Sequence, residues 1–216
     1  MDHAVARESG GTRTPQIWGA AATLFALALL AITAPACFAN SFTSPVSTTH
    51  LDLSQKTINV FKSTAGEVTC TTLTGTAHLT SKEFTAIETS ELKFEGCHII
   101  FFGSTVSATV KANGCNYKLY AAETTDIVCP VGKEIEVTAA GCNIKIGAQT
   151  GLKTLGYEND GSHIDATLSL SGIKSTHSGF NCGTGSDSAG TLKGQITVEG
   201  RESSAEGKVV DLEYVP

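Results

Sequence analysis

From about residue 57 to residue 199, apolar and polar residues alternate in short runs separated by turn residues. Leu73, Gly75, Ala77 and Leu79 share one face of the first clear run. Later apolar sets are Val106, Ala108, Val110 and Ala112; Cys115, Tyr117, Leu119 and Ala121; Ile135, Val137 and Ala139; Cys142, Ile144 and Ile146; Ile164, Ala166, Leu168 and Leu170; and Leu192, Gly194, Ile196 and Val198. A period of two with polar partners is typical of antiparallel strands that are wet on one face. We therefore predict an all-β fold, an antiparallel two-sheet β-sandwich.

A ten-residue segment occurs twice in the predicted sheet region. VKANGCNYKL (110–119) and VTAAGCNIKI (137–146) match at six of ten positions. In both copies a glycine precedes a cysteine, and an apolar-polar alternation follows. We expect the glycine to lie in a turn and the cysteine to begin the next strand, where a disulfide would fix the strand register.

The first 39 residues have the pattern of a secretory signal peptide. A polar start carries Arg7 and Arg13, an apolar run covers 17–32, and two sites with small residues follow, which allow cleavage after Ala36 or Ala39. The apolar run is shorter than the roughly 20 residues that cross a membrane, so no stable transmembrane segment is expected after cleavage. The alternatives are an uncleaved anchor and a lipid anchor on Cys37.

The rest of the chain divides by composition into three parts. Residues 40–56 are rich in Ser and Thr and are predicted to be a linker, and residues 57–199 are predicted to form the β-sandwich domain. Residues 200–216 form an acidic tail with room for a last strand.

Seven cysteines occur, and cleavage after Ala39 would remove Cys37 and leave an even number. The remaining six are Cys70, Cys97, Cys115, Cys129, Cys142 and Cys182. No C-x-x-C occurs, which argues against a zinc knuckle and against a thioredoxin-like redox pair. Six thiols in an oxidising compartment predict three disulfides, and fifteen connectivities are open.

Hairpin geometry is a weak guide to the pairing. Cys115 and Cys129 flank two runs that we expect to pair as antiparallel strands, which places them opposite each other. Cys70 and Cys97 bracket a predicted long hairpin that turns near 81–83, and Cys142 would then pair with Cys182 by elimination.

Composition and charge exclude several classes of protein. Hydrophobic residues make up 41% and charged residues 17% of the chain, which is typical of a folded domain and not of a disordered one. Fifteen Lys and Arg against 21 Asp and Glu give a formal charge of -6. Because no basic stripe is present to neutralise phosphates, we expect no nucleic-acid partner.

Several turn and cysteine motifs resemble those of a group of secreted, six-cysteine all-β proteins of soil actinobacteria, to which no function is assigned. The motifs are GCNY (114–117), DIVCP (126–130), GC (141–142), QTGL (149–152), GI (172–173) and GFNC (179–182), and the resemblance covers roughly residues 60–198. It implies export and a disulfide framework, and it implies no catalytic residue.

One candidate for catalysis is a serine-hydrolase arrangement of His78, Asp126 and Ser188. The order His, Asp, Ser and the motifs around His78 and Ser188 loosely resemble chymotrypsin-like enzymes, in which the histidine takes the serine proton and the aspartate orients the imidazole. Against it, Ser186 and Ala189 replace the two glycines expected around the serine. We therefore expect a protein that is not an enzyme, with the hydrolase as the alternative.

Two binding chemistries are also conceivable from the sequence, a calcium site and a carbohydrate site. Glu158, Asp160 and Asp165 could offer oxygen ligands to Ca²⁺, but their spacing fits no EF-hand and a polar turn is the favoured interpretation. Carbohydrate binding is disfavoured because cleavage would remove Trp18, the single tryptophan.

The sequence thus predicts a secreted, disulfide-stapled, non-enzymatic domain that binds a partner or serves a structural role at or beyond the cell surface. No cofactor or metal is expected. The partner is an unknown extracellular or envelope component. Segments 148–162 and 183–191 are expected to be the presenting loops because they are polar and rich in glycine.

Overall fold

The computed structural model describes residues 39–101, 103–153 and 155–216, and these residues form strands and turns without a helix. The strands are β1 (Ser41–Thr43), β2 (Thr49–Ser63), β3 (Gly66–Cys70), β4 (Thr72–Leu79), β5 (Glu83–Phe84), β6 (Ala86–Glu88), β7 (Ser90–Glu95), β8 (His98–Phe101), β9 (Ser104–Ser107), β10 (Thr109–Lys111), β11 (Asn116–Tyr120), β12 (Thr125–Val128), β13 (Ile135–Ala139), β14 (Cys142–Ile146), β15 (Gln149–Leu152), β16 (Leu155–Asp160), β17 (His163–Gly179), β18 (Gly185–Glu202), β19 (Val209–Val210) and β20 (Glu213–Val215). The predicted all-β class and the antiparallel pairing are confirmed. Within the described ranges, no helix is present that could cross a membrane.

The strands form three sheets. The largest has 13 strands, and its main path runs β10-β13-β14-β17-β18-β2-β3-β8-β9, with β4, β7, β16 and β19 attached beside it. A four-stranded sheet has the order β15-β12-β11-β6, and a three-stranded sheet has the order β20-β1-β5. The long strands β2, β17 and β18 form the centre of the largest sheet.

The largest sheet curls until the two ends of its main path meet. The terminal strands of that path, β9 and β10, are consecutive in the chain and are separated by Ala108 alone. The backbone N–H of Ala108 donates to the carbonyl of Cys97, which attaches this junction to the sheet. The predicted two-sheet sandwich is therefore not confirmed, since three sheets are present and the largest is nearly closed on itself.

The core lies between the curled sheet and the four-stranded sheet. Leu119 and Ile144 are fully buried, and Ile127, Val137 and Leu168 are nearly so. A cavity of about 60 Å³ remains among these side chains, lined almost wholly by apolar groups from both sheets. Tyr117 is one of its lining residues, and burial raises the pKa of that phenol to about 12. The predicted alternation holds because each inward residue removes apolar surface from water while its neighbours stay wet.

Three disulfides join Cys70 to Cys97, Cys115 to Cys129 and Cys142 to Cys182, so the pairing favoured by hairpin geometry is confirmed. The long hairpin expected for the first pair is present, because β4 pairs with β7 and Thr72 lies opposite Glu95, although the short strands β5 and β6 lie between its two arms. Cys70 and Cys97 come together because β3 pairs with β8, with Thr69 opposite His98.

The two copies of the repeat have different places in the fold. In 137–146 the turn at Gly141 closes the hairpin β13–β14, and Cys142 begins the second strand as expected. In 110–119 the chain passes at Gly114 from the largest sheet into the four-stranded sheet. Both glycines have positive φ, 78° and 82°, which explains why both copies place glycine at this point.

Two predicted domain boundaries need correction, and one prediction lies outside the described residues. Residues 40–56 are not a linker, because β1 and the first half of β2 lie in them and Leu51 and Leu53 are buried in the core. The tail 200–216 contains the predicted last strand, β20, but the boundary at 199/200 is wrong because β18 continues to Glu202 and pairs there with β19. The predicted signal peptide, 1–39, lies outside the described part of the chain except for Ala39.

Candidate binding surface at the end of the longest hairpin

β17 and β18 form the longest hairpin of the fold, and we call residues 172–190 at its turn the distal hairpin. The register is regular from His163 opposite Glu199 to Ser171 opposite Thr191, and it then shifts twice before Ser175 opposite Asp187. Gly172 lies at the first shift with a φ of 75°, a conformation that favours glycine.

A surface groove of about 570 Å³ lies between β15 and the distal hairpin. The side chain of Gln149 bridges the two walls, because its Nε2 donates to the carbonyl of Lys174 at 3.2 Å and its Oε1 accepts from the N–H of Lys174 at 2.9 Å. A volume of this size lies within the roughly 300–1,000 Å³ that is typical of ligand sites. Hydroxyl groups line the groove on both walls, from Thr150, Ser175, Thr176, Ser186 and Ser188.

Ser175 and Asp187 form a cross-strand pair at this groove, and both are buried. The carboxylate of Asp187 accepts backbone N–H groups from Ala189 and from Thr64, both at 2.8 Å. These hydrogen bonds hold the pKa of Asp187 below its usual value, although burial opposes them. Ser175 is only 5% exposed, and its Oγ has no hydrogen-bond partner among the residues that the structure describes.

The charges in the groove balance. Lys145 and Lys174 line it together with Glu134 and Asp187, two cations and two anions. The ammonium of Lys145 lies 3.5 Å from Glu134 and 3.4 Å from Glu136, and hydrogen bonds to these two carboxylates raise the pKa of Lys145. The lining therefore offers mainly neutral hydrogen-bonding groups to a ligand.

Phe180 is displayed at the tip of the distal hairpin. Its side chain is 97% exposed, although the turn beneath it is held firmly. The disulfide from Cys182 to Cys142 and a hydrogen bond from Asn181 Nδ2 to the carbonyl of Ala140 anchor the turn to β13 and β14. Phe180 also borders a cleft of about 390 Å³ with Ile100 and Phe101.

Sequence analysis missed both Ser175 and Phe180. The burial of Ser175 depends on the bulges of β17, which no local pattern indicates. A signal for Phe180 does exist in the sequence, since it is a single aromatic residue in the polar turn SGFNCGTG (178–185). The predicted presenting segments need correction as well, because 148–162 and 183–191 lie mostly in β15, β16 and β18, although both border the groove.

The structure does not bring His78, Asp126 and Ser188 together. His78 packs against His50, its cross-strand neighbour, with ring centroids 4.6 Å apart. His50 is opposite Arg201 on β18, and the strand from Ser188 to Arg201 extends about 40 Å at roughly 3.3 Å per residue.

Asp126 has a structural role in the four-stranded sheet. Its carboxylate accepts the hydroxyl of Tyr120 at 2.9 Å and the N–H of Gly151 at 2.7 Å, and so fixes β15 beside β12. The three residues therefore cannot act as a triad in this arrangement.

The candidate calcium ligands lie on one face, but a cation of the chain is already present there. Glu158 is opposite Asp165, and ligand atoms of Asp160, His163 and Asp165 lie within 4.8 Å of one another. The ammonium of Lys56 bonds to Asp165 and lies 3.5 Å from Asp160. Burial raises the pKa of Asp165, but hydrogen bonds from Lys56 and Thr197 outweigh burial and lower it. Lys56 therefore already pairs with two of the carboxylates, Asp160 and Asp165, that a Ca²⁺ ion would need as ligands.

Comparison with known proteins finds no matching family model, no matching curated protein and no matching solved structure. The resemblance to secreted six-cysteine proteins therefore stays a prediction.

Proposed function

We propose that this protein is an exported, non-enzymatic binding domain that acts at or beyond the cell surface and contacts its partner with the distal hairpin. The observation that carries the proposal is Phe180, a large apolar side chain left 97% exposed on a covalently anchored turn. Because the disulfide already restricts the turn, binding has to order the Phe180 side chain but not the backbone beneath it. Phe180 contributes nothing to the core, so its contact with a partner is the role that its position favours.

Three further features support this proposal. The disulfides are typical of proteins that leave the reducing cytoplasm. The leader-like pattern of residues 1–39 predicts export. The groove and the cleft both border the distal hairpin, so a partner seated on Phe180 meets apolar and polar surface together.

Co-sedimentation with purified cell-wall sacculi of an actinobacterium tests the proposal. We expect the native protein to sediment with the sacculi and Phe180→Ser to bind at least tenfold more weakly, because burial of a phenylalanine side chain contributes about 2 kcal/mol or more. The variant should keep its melting temperature, since the ring makes no core contact.

Ile58→Ser is the matched control. Ile58 is 61% exposed on β2, outside the distal hairpin, so its replacement also removes exposed apolar surface. If both variants sediment like the native protein, the distal hairpin is not the contact surface.

A further inference from the structure

Four turns meet at the end of the molecule that carries Phe180. The cleft beside Phe180 is lined by the turn between β2 and β3, by the end of β8 and by the turn of the distal hairpin. The Cys142–Cys182 disulfide and the hydrogen bond from Asn181 to the carbonyl of Ala140 join the β13–β14 turn to the distal hairpin. We call this surface, residues 63–66, 100–101, 103–104, 139–142 and 178–186, the neutral end.

The neutral end contains no Lys, Arg, His, Asp or Glu, although charged residues make up 17% of the chain. Phe180 is 97% exposed and Ile100 is 38% exposed, so two large apolar side chains face solvent there. Polar groups of the turns have partners inside the protein, as in the hydrogen bond of 3.2 Å from the N–H of Ala65 to Oγ of Ser63. The surface therefore presents apolar side chains and no charge to a partner.

Ionisable residues bound the neutral end on the strands that lead into it. Lys62 and Glu67 flank the β2–β3 turn and pair with each other at 2.7 Å. His177 and Asp187 flank the turn of the distal hairpin, and the Asp187 carboxylate accepts the N–H of Thr64 at 2.8 Å. These residues limit how far this end of the molecule can leave water, because only the tips beyond them are free of charge.

We propose that the neutral end inserts into the surface of a lipid bilayer, with Phe180 at the boundary between the headgroups and the acyl chains. This inference rests on the proposed binding function and names the partner class of the distal hairpin. A charged side chain is costly in hydrocarbon, whereas an exposed phenylalanine gains free energy by leaving water. Tips that carry apolar side chains and lack charge satisfy both conditions.

The charges of the protein also determine which bilayer it fits. The neutral end has no basic residue to attract anionic headgroups, and the chain has a formal charge of -6. Insertion therefore depends on the burial of apolar surface, and neutral phosphatidylcholine is the matching lipid. Because one phenylalanine and part of an isoleucine supply that surface, we expect a weak association that needs millimolar lipid.

Tryptophan fluorescence tests the insertion in the form that begins at Asn40, which contains all the strands described above and the three disulfides. Trp18 precedes Asn40, so Phe180→Trp gives this form a single tryptophan. We expect phosphatidylcholine vesicles to shift its emission to shorter wavelengths and brominated acyl chains to quench it. Ile58→Trp is the matched control, because Ile58 is exposed on β2 outside the neutral end, and its emission should not change. Unquenched emission from Phe180→Trp would overturn the proposal.

Vesicle co-sedimentation tests the requirement for a neutral surface. Thr184→Asp places a charge on the exposed turn, and we expect it to bind phosphatidylcholine vesicles at least tenfold more weakly, as should Phe180→Ser. Thr80→Asp is the matched control, because Thr80 is exposed and follows Leu79, which pairs with Thr49 at the opposite end of β2. Equal binding of the two aspartate variants, or binding that requires phosphatidylglycerol, would overturn the proposal.

The two proposals can fail separately. If vesicles do not bind while sedimentation with sacculi still depends on Phe180, the lipid assignment is overturned and the binding function stands, with a wall component as the partner. Vesicle binding that depends on Phe180 supports the lipid assignment whether or not sacculi bind. If neither kind of binding depends on Phe180, both proposals fall.

Discussion

Side chains of the described residues form hydrogen bonds with backbone groups more often than with other side chains. Asp187 shows this most clearly, since the N–H groups of Ala189 and Thr64 both bond to its carboxylate and connect β18 to the turn between β2 and β3. The folded pKa of Asp187 is lowered, so its contribution to stability is complete above the unfolded value of about 3.9 and is lost as the pH falls through the folded value.

We therefore expect Asp187→Asn to lower the free energy of unfolding at pH 7 by about 1–3 kcal/mol, because one backbone donor loses its acceptor. The difference from the native protein should be smaller at the lowest pH at which the native protein stays folded, because the native carboxylate takes up a proton as the pH falls through its folded pKa. Urea denaturation at pH 7 and at that pH measures this. Asp211→Asn, at an exposed position, is the control and should change neither value. A cost that is the same at both pH values would contradict the ionised state assigned to Asp187.

At the scale of elements, alternation predicted the strands, and the expected hairpins predicted two of their pairings, β4 with β7 and β11 with β12. Pairings between distant segments were not predicted. Leu73 to Leu79 and Ala166 to Leu170 are buried at alternate positions, as local periodicity requires. The linker prediction failed because it relied on the serine and threonine content of the segment. The alternation His50-Leu51-Asp52-Leu53, which lies at the start of β2, was the better indicator. Neither the groove nor the position of Lys56 between two acids could be predicted, since both depend on pairings between distant segments.

Each disulfide links two segments in or next to particular strands, so its contribution to stability belongs to the scale of elements. The Cys142–Cys182 bridge closes a loop with a sequence separation of 40, and the Cys115–Cys129 bridge one of 14. Restriction of the unfolded chain predicts losses of about 4 and about 3 kcal/mol when each is removed.

We expect the double variant Cys142→Ala/Cys182→Ala to unfold at a lower urea concentration than Cys115→Ala/Cys129→Ala. Hydrogen exchange should also quicken at residues 180–184 in the first variant alone. The opposite order of stability would show that packing around Cys115, which is fully buried, outweighs loop closure.

Over the whole molecule, the core between the curled sheet and the four-stranded sheet is not completely filled. The cavity of about 60 Å³ is lined by Val137 and by apolar residues of both sheets. We expect Val137→Ile to raise the free energy of unfolding by about 0.8 kcal/mol, because the added methylene fills empty space.

Val198→Ile is the matched control. Val198 is 1% exposed and does not line this cavity, so the same added methylene should cost about 1–3 kcal/mol through overpacking. Thermal unfolding of the two variants compares them directly. Equal losses in both would mean that the cavity cannot accept a methylene.

The junction at Ala108 also determines how the protein behaves among copies of itself. A sheet that ended at β9 and β10 would present two rows of free backbone donors and acceptors, which are templates for aggregation. Because these strands follow one another across Ala108, the main path of the sheet has hardly any open ends for a second molecule to extend. Aggregation by strand addition should therefore not begin at this part of the sheet.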